Sequence, residues 1–227
     1  MLLGRGGNPM PLDFTLMVPV GVQSSSVFVS ASIPDSARWS GDFDALEITD
    51  AVVALARAFL TAGFKIVTAA HPTIAPLLLY VAAEFPPESE ERISVYQSEL
   101  FANVLPPATR RFEADGVGRL IWTAAAEGDR PVPGEWDESL LTMRRRMLGE
   151  AEPIAACFIG GMEGIRSEFE LYRTMYPDRS TYPLGRPGGE ARNLIEAIDN
   201  SLRERLANDD VYPALWRAVI QDLRSGL

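Results

Sequence analysis

The 227-residue chain carries 21 Lys and Arg against 31 Asp and Glu, a formal charge of −10. That balance argues against nucleic acid or an anionic membrane as the main partner, since both call for a basic face. The hydrophobic share of 47% is ample for a buried core, but no apolar run is long enough to span a bilayer. The N-terminus also lacks a basic-then-apolar signal pattern, so a cytoplasmic protein is expected. A single cysteine excludes a disulfide framework, and one histidine beside it argues against a zinc site, so no metal is expected. Cys157 falls inside a predicted strand and reads as a buried, inert thiol.

Residues 1–23 are punctuated by Gly and Pro and read as an irregular lead-in with a short strand over 14–18. Residues 24–227 read as one α/β domain with a helical C-terminal part. A first central strand over 27–32 ends in small hydroxyl residues and Pro34. Apolar residues spaced three and four apart predict a helix over 44–62, stopped by Gly63. A second strand, 65–69, is closed by His71 and Pro72, and Thr73 is placed to cap a helix running to 83. A third strand over 93–97 precedes a helix over 105–114, and a fourth over 120–123 precedes a helix over 139–148. That helix carries Arg144, Arg145 and Arg146. The apolar run 154–159 is a fifth strand. It meets Gly160, Gly161 and Gly164, and then a helix with Ile165, Phe169 and Tyr172 on one face. A short edge strand over 181–184 follows, and helices fill 190–223 with a break near 208–213.

Strands alternating with helices predict a three-layer α/β sandwich: a mainly parallel central sheet with helices on both faces. Ligands in such sheets bind outside the carboxyl ends of the strands, where the chain order reverses. The candidate binding residues are therefore Ser30, Ser32, His71, Thr73, Gln97, Ser98 and Thr123, with the loop Gly160, Gly161, Met162, Glu163 and Gly164. Most are small, polar and neutral, which suits a nucleotide or a sugar. Glycines at a strand-to-helix junction admit a ligand close to the backbone, and a helix start offers free N–H groups and a positive dipole end.

Several residues have a second reading. Arg144 to Arg146 fall on three helix faces, so at most one or two reach the cleft, where a guanidinium would pair with pyrophosphate. Glu163 either accepts from ribose hydroxyls or is solvated. Glu168 either acts on a ligand or stabilises the first turn of its helix through the dipole. His71 either stacks on a base or donates to phosphate, or it is a structural cap of the helix after Thr73. A Ser30–His71–Glu168 hydrolase lacks the Gly-x-Ser-x-Gly elbow. Pro187 to Gly189 reads as a turn opening a helix, with Arg192 a weaker phosphate candidate. Trp136, Trp216, Leu194, Ile195 and Ile198 read as core or oligomer contacts.

Five segments also carry a resemblance: Val27-Phe-Val-Ser-Ala-Ser-Ile-Pro34, Ala70-His-Pro-Thr-Ile74, Val95-Tyr-Gln-Ser98, Met143-Arg144 and Phe158-Ile-Gly-Gly-Met-Glu-Gly164. Together they resemble the SLOG superfamily, the Rossmann-like group that joins the Smf/DprA proteins with the LOG phosphoribohydrolases. The match runs over roughly residues 24 to 195 and is nearest the branch found beside TIR and purine-phosphorylase domains in bacterial defence loci. The resemblance implies a sensor of an ADP-ribose-derived, cyclic ADP-ribose-like or related nucleotide. It implies no cofactor, a TIR-type or other effector protein as partner in anti-phage defence, and a homodimer or higher homo-oligomer. LOG enzymes instead cleave the N-glycosidic bond of nucleoside monophosphates with an arginine and a glutamate, roles that Arg144 (or Arg145) and Glu168 match loosely. Ile159 stands where that motif has proline, Met162 and Glu163 occupy the place of one residue, and Ile165 replaces a threonine. These departures favour a non-catalytic sensor, with Arg144 and Glu168 catalytic only if the chain is a hydrolase.

Overall fold

The structure, a computed structural model, describes residues 25–86, 92–132 and 134–226. The lead-in and the strand expected over 14–18 lie outside the described residues. Six strands form one sheet in the order β4-β3-β2-β1-β5-β6: β1 (Ser26–Ser32), β2 (Lys65–Ala69), β3 (Ile93–Ser98), β4 (Arg119–Thr123), β5 (Ala155–Gly160) and β6 (Ser180–Leu184). Every pairing is parallel. The expected architecture, a Rossmann-like three-layer sandwich, is what the chain adopts. Strands β1 and β5 are buried almost throughout, which explains why they read as continuous apolar runs rather than alternating ones. Tyr182 and Leu184 of the edge strand β6 are fully buried, and the strand tolerates Pro183 because an outermost strand has no further partner to receive its N–H.

Helix α1 (Ala45–Thr61) begins where the Asp44 carboxylate accepts from the backbone N–H groups of Leu46 (2.8 Å) and Glu47 (3.0 Å). Its buried stripe, Ile48, Ala51, Val52, Leu55, Ala56 and Phe59, follows the helical period. It packs on α2 (Ile74–Ala82) and on α8 (Tyr212–Ser225), where the fully buried Trp216 donates from its indole to the Ala51 carbonyl at 3.0 Å. Leu194, Ile195 and Ile198 also join the core. Trp136 does not, remaining only half-buried. Helix α3 (Pro107–Ala114) follows β3 after a 3₁₀ segment, Glu99–Val104, that the sequence reading missed. Helix α4 (Asp137–Ala151) packs against β3 and β2, and α5 (Glu163–Met175) against β5 and β1. The C-terminal helical region includes α6 (Glu190–Asn193), α7 (Arg203–Asn208) and α8, with breaks between them.

Thr73 does not cap α2. It is exposed, has α-helical torsions and makes no side-chain capping bond. Its N–H instead donates to His71 Nδ1 at 3.3 Å, so the histidine serves that helix start.

Two glycine pairs meet behind β5. Gly160 (φ 65°), Gly161 (φ 71°), Gly188 (φ 81°) and Gly189 (φ 70°) all lie in the left-handed region that disfavours side chains, and Gly189 lies against the Gly160 backbone. The Gly161 N–H donates to the Ser32 carbonyl at 2.8 Å, and the Gly161 carbonyl accepts from Glu190 N–H at 2.8 Å. Gly189 N–H donates to the Asp42 carbonyl at 3.0 Å, and Asp44 N–H to the Pro187 carbonyl at 2.8 Å. The Pro-Gly-Gly turn therefore ties the β1–α1 loop to the β5–α5 loop. A Cβ on Gly189 would sit 2.5 Å from the Gly160 carbonyl carbon, so Gly189→Ala is expected to cost at least about 2 kcal/mol. Gly149, inside α4 with nothing within 4 Å of its position for a Cβ, is the control: Gly149→Ala should raise stability by roughly 0.5–1 kcal/mol. Denaturant unfolding of the two variants checks both signs.

Candidate functional site

The chain runs outward from β1 to β4 and then returns to the other side of β1 for β5. The order reverses between these two strands, where Ser32 is in register with Gly160 at the carboxyl edge. A parallel sheet opens a crevice at such a point because the loops leaving its two central strands head to opposite faces. A cavity of about 700 Å³ lies there, a size suited to a nucleotide.

Its floor is polar and comes from four elements. Ser30 of β1, 3% exposed, donates from Oγ to Glu168 Oε2 at 2.5 Å. Arg144 of α4 donates from Nε to Glu168 Oε1 at 2.8 Å. Glu168 of α5 is thus held on both carboxylate oxygens, with its side chain 11% exposed and that of Arg144 16% exposed. Because α5 starts at Glu163, Glu168 sits in the second turn, beyond the reach of the end-of-helix dipole effect expected for it. No histidine stands between Ser30 and Glu168, so the geometry is not a Ser-His-acid relay. His71, following β2, also lines the cavity. Burial lowers its imidazole pKa from the usual 6.5, and the Glu168 carboxylate opposes part of that shift.

The wall that starts α5 brings Met162, Glu163 and Gly164 into the lining, together with Ile165 and Ser167. Glu163 and Gly164 open the first turn, whose third N–H, that of Ile165, already donates to the Met162 carbonyl at 2.9 Å. A Cβ on Gly164 would lie 3.4 Å from Arg144 Nη2, so the guanidinium closely approaches that turn. Ser32 and Gln97 complete the expected residues that line the cavity.

Six expected residues lie outside the lining. Gly160 and Gly161 are occupied by backbone packing, a Cβ on Gly160 falling 2.5 Å from the Ser32 carbonyl oxygen. Thr73 is exposed, and its backbone N–H donates to His71 Nδ1. Ser98 is fully buried and its Oγ accepts from Leu100 N–H at 3.3 Å, capping the 3₁₀ segment. Thr123 is buried on the edge strand β4 and donates to the Gln97 carbonyl at 3.5 Å. Arg145 points to solvent. Arg146 pairs with Glu150 and donates to the Trp122 carbonyl, while Arg192 donates to the carbonyls of Gly185 and Arg186.

Several lining residues escaped sequence reasoning, among them Arg38, Phe101, Trp136 and Asp137. The lining holds two arginines. Arg144 is committed to Glu168, whereas the exposed Arg38 side chain has no hydrogen bond or ion pair among the described residues. Among the described residues no group of His, Cys, Asp and Glu is arranged to hold a metal ion, and no helix is long and apolar enough to cross a membrane.

A model of the SLOG cluster3 family matches residues 38–220, most of the chain, so the chain belongs to that family. No curated protein matches it. Among solved structures it is similar to the X-ray structure of TM1055, a structural-genomics target. Identity is 12%, coverage is 79% of this chain and 88% of that one, and the TM-score is 0.48.

Two outcomes follow from the buried charges. His71 is the chain's one histidine, so its imidazole NMR resonance is unambiguous and should titrate with a midpoint below 6.5. Glu168→Gln should move that midpoint further down by removing the opposing carboxylate. A depressed folded pKa means the unfolded chain takes up the proton first. Stability from this source is therefore fully present above about pH 6.5 and is lost as pH falls through the folded value. Arg144→Leu leaves Glu168 without its cation. The expected loss is about 2 kcal/mol by denaturant unfolding, below the roughly 3–5 kcal/mol of a fully buried pair because both side chains keep some solvent contact.

Proposed function

We propose that this SLOG cluster3 protein is a nucleotide-signal sensor. It binds an ADP-ribose-derived, cyclic ADP-ribose-like or related nucleotide across the carboxyl edge of the sheet. It passes that signal to a TIR-type or other effector protein in bacterial anti-phage defence, through a change in its own association or docking surface. A ligand transmits such a signal without chemistry when it binds one of two conformations more tightly.

The observation that carries this reading is the state of Glu168. A carboxylate that accepts from both Ser30 and an arginine 2.8 Å away presents little negative potential to a developing oxocarbenium ion. The cavity therefore holds groups that bind, with its one deep acid already satisfied. An anionic ligand has the first turn of α5, the Nη2 of Arg144 beside Gly164 that its Nε bond to Glu168 leaves over, and Arg38, which has no ion pair among the described residues, to meet it. Glu163 is placed to accept from ribose hydroxyls. Gly160 and Gly161 support this wall from behind.

Gly164 offers the cleanest perturbation, because its φ lies outside the left-handed region and its Cβ direction leads toward Arg144. Gly164→Leu should leave the melting temperature of the free protein nearly unchanged and weaken nucleotide binding at least tenfold. The assay is a thermal-shift and calorimetric panel of ADP-ribose, cyclic ADP-ribose isomers and nucleoside monophosphates, with mass detection of each compound afterwards. A ligand recovered intact supports the sensor. A nucleoside monophosphate recovered as free base plus ribose phosphate, with the activity lost in Glu168→Gln, would make the chain a LOG-type phosphoribohydrolase instead.

A further inference from the structure

The cavity has a second lobe with a different chemistry from its floor. The 3₁₀ segment after β3 contributes Phe101 and Val104, and the stretch before and within α4 contributes Pro131, Trp136 and Leu140. Phe101 sits at a kink in its segment, with φ −106° and ψ 17°. That kink brings its ring edge-to-face with Trp136, with ring centroids 5.4 Å apart. Val104 is 61% exposed, and both aromatic rings remain half-buried. An aromatic pair that served packing alone would close over, as Phe158 and Phe169 do in the core at 5.2 Å. Here the half-buried pair lines the same cavity as Arg144, which lies eight residues beyond Trp136 on α4, about 12 Å along the helix.

From this juxtaposition we propose that Trp136, held in orientation by Phe101, is the stacking platform for the ligand's base. The ligand class is thereby narrowed to nucleotides and their derivatives, and sugar phosphates without a base are excluded as the cognate signal. The inference rests on the nucleotide reading above and specifies which part of the nucleotide each end of the cavity takes. Indole offers a broad π-face, and stacking of a base on an aromatic side chain tolerates any base identity. Discrimination at this lobe is therefore between aromatic and non-aromatic ligands. The anionic group meets the polar floor at the other end, so one bound molecule spans β1, α4, α5 and the 3₁₀ segment.

The test compares ADP-ribose with ribose 5-phosphate by calorimetry on the full chain, using wild type, Trp136→Ala, Trp136→Phe and Phe101→Leu. Stacking of this kind alters affinity by about tenfold or more when the ring is removed. Trp136→Ala should weaken ADP-ribose by that factor, Trp136→Phe should retain most of the affinity, and Phe101→Leu should fall between them. Ribose 5-phosphate, weaker throughout, should be indifferent to all three. Equal ADP-ribose affinity in Trp136→Ala and wild type would overturn the stacking platform while leaving the nucleotide reading intact, as would an equal loss for both ligands. Failure of the wild-type protein to bind ADP-ribose or any nucleotide in the wider panel would overturn the nucleotide reading and this inference with it.

Discussion

Backbone-to-backbone contact between two glycine pairs sets the geometry on which the site depends. Gly160 and Gly161 leave β5 in left-handed conformations, and Gly189 can lie against the Gly160 backbone, and Gly188 against Asp42 and Phe43, only because neither carries a side chain. The hydrogen bonds around this contact bind three loops together: the one after β1, the one after β5 and the one after β6. Helix α5 can then start directly beneath the cavity, with Gly164 beside Arg144. Remove that contact and the register of the α5 start relative to Ser32 is no longer fixed. The glycines act from behind the wall, while the residues two to four positions further on face the cavity.

The second organising interaction is electrostatic. Glu168 joins β1, α4 and α5 because Ser30 and Arg144 both reach it. Each ion alone would be costly at this depth, and together they are tolerable because every short-range demand of the carboxylate is met. The arrangement also divides labour between the arginines of the lining. One is a strut whose charge is largely balanced, and the other, Arg38, sits on an exposed loop with no ion pair among the described residues.

The fold was readable because its signals are local. Helix α1 follows from its apolar spacing and the Asp44 cap, and β1 and β5 from continuous apolar runs. The lining of the candidate cavity was readable only where it draws on strand ends, as for Ser30, Ser32, His71 and Gln97. Ser98 and Thr123 lie outside the lining, and their hydroxyls are consumed locally. Arg38, Phe101 and Trp136 lie in irregular segments with no periodicity to betray a facing direction. Trp136 was read as a core or oligomer contact, and the 3₁₀ segment that carries Phe101 has no marker of its own. The Gly160 and Gly161 pair drew attention for the reason glycines usually do, yet the close approach they permit is to another stretch of the same backbone.

Cys157 lies at the centre of the sheet, paired in register with Val29 on β1 and Tyr182 on β6, and has no solvent exposure. Burial raises its thiol pKa far above the ordinary value, and the chain has no other cysteine. Thiolate chemistry is therefore silent over the whole folded surface. A cysteine introduced beside the cavity mouth would be the sole site for a maleimide fluorophore or spin label. The native sequence is in this respect already a background for distance measurements between copies or between loops, with no residue to be removed first.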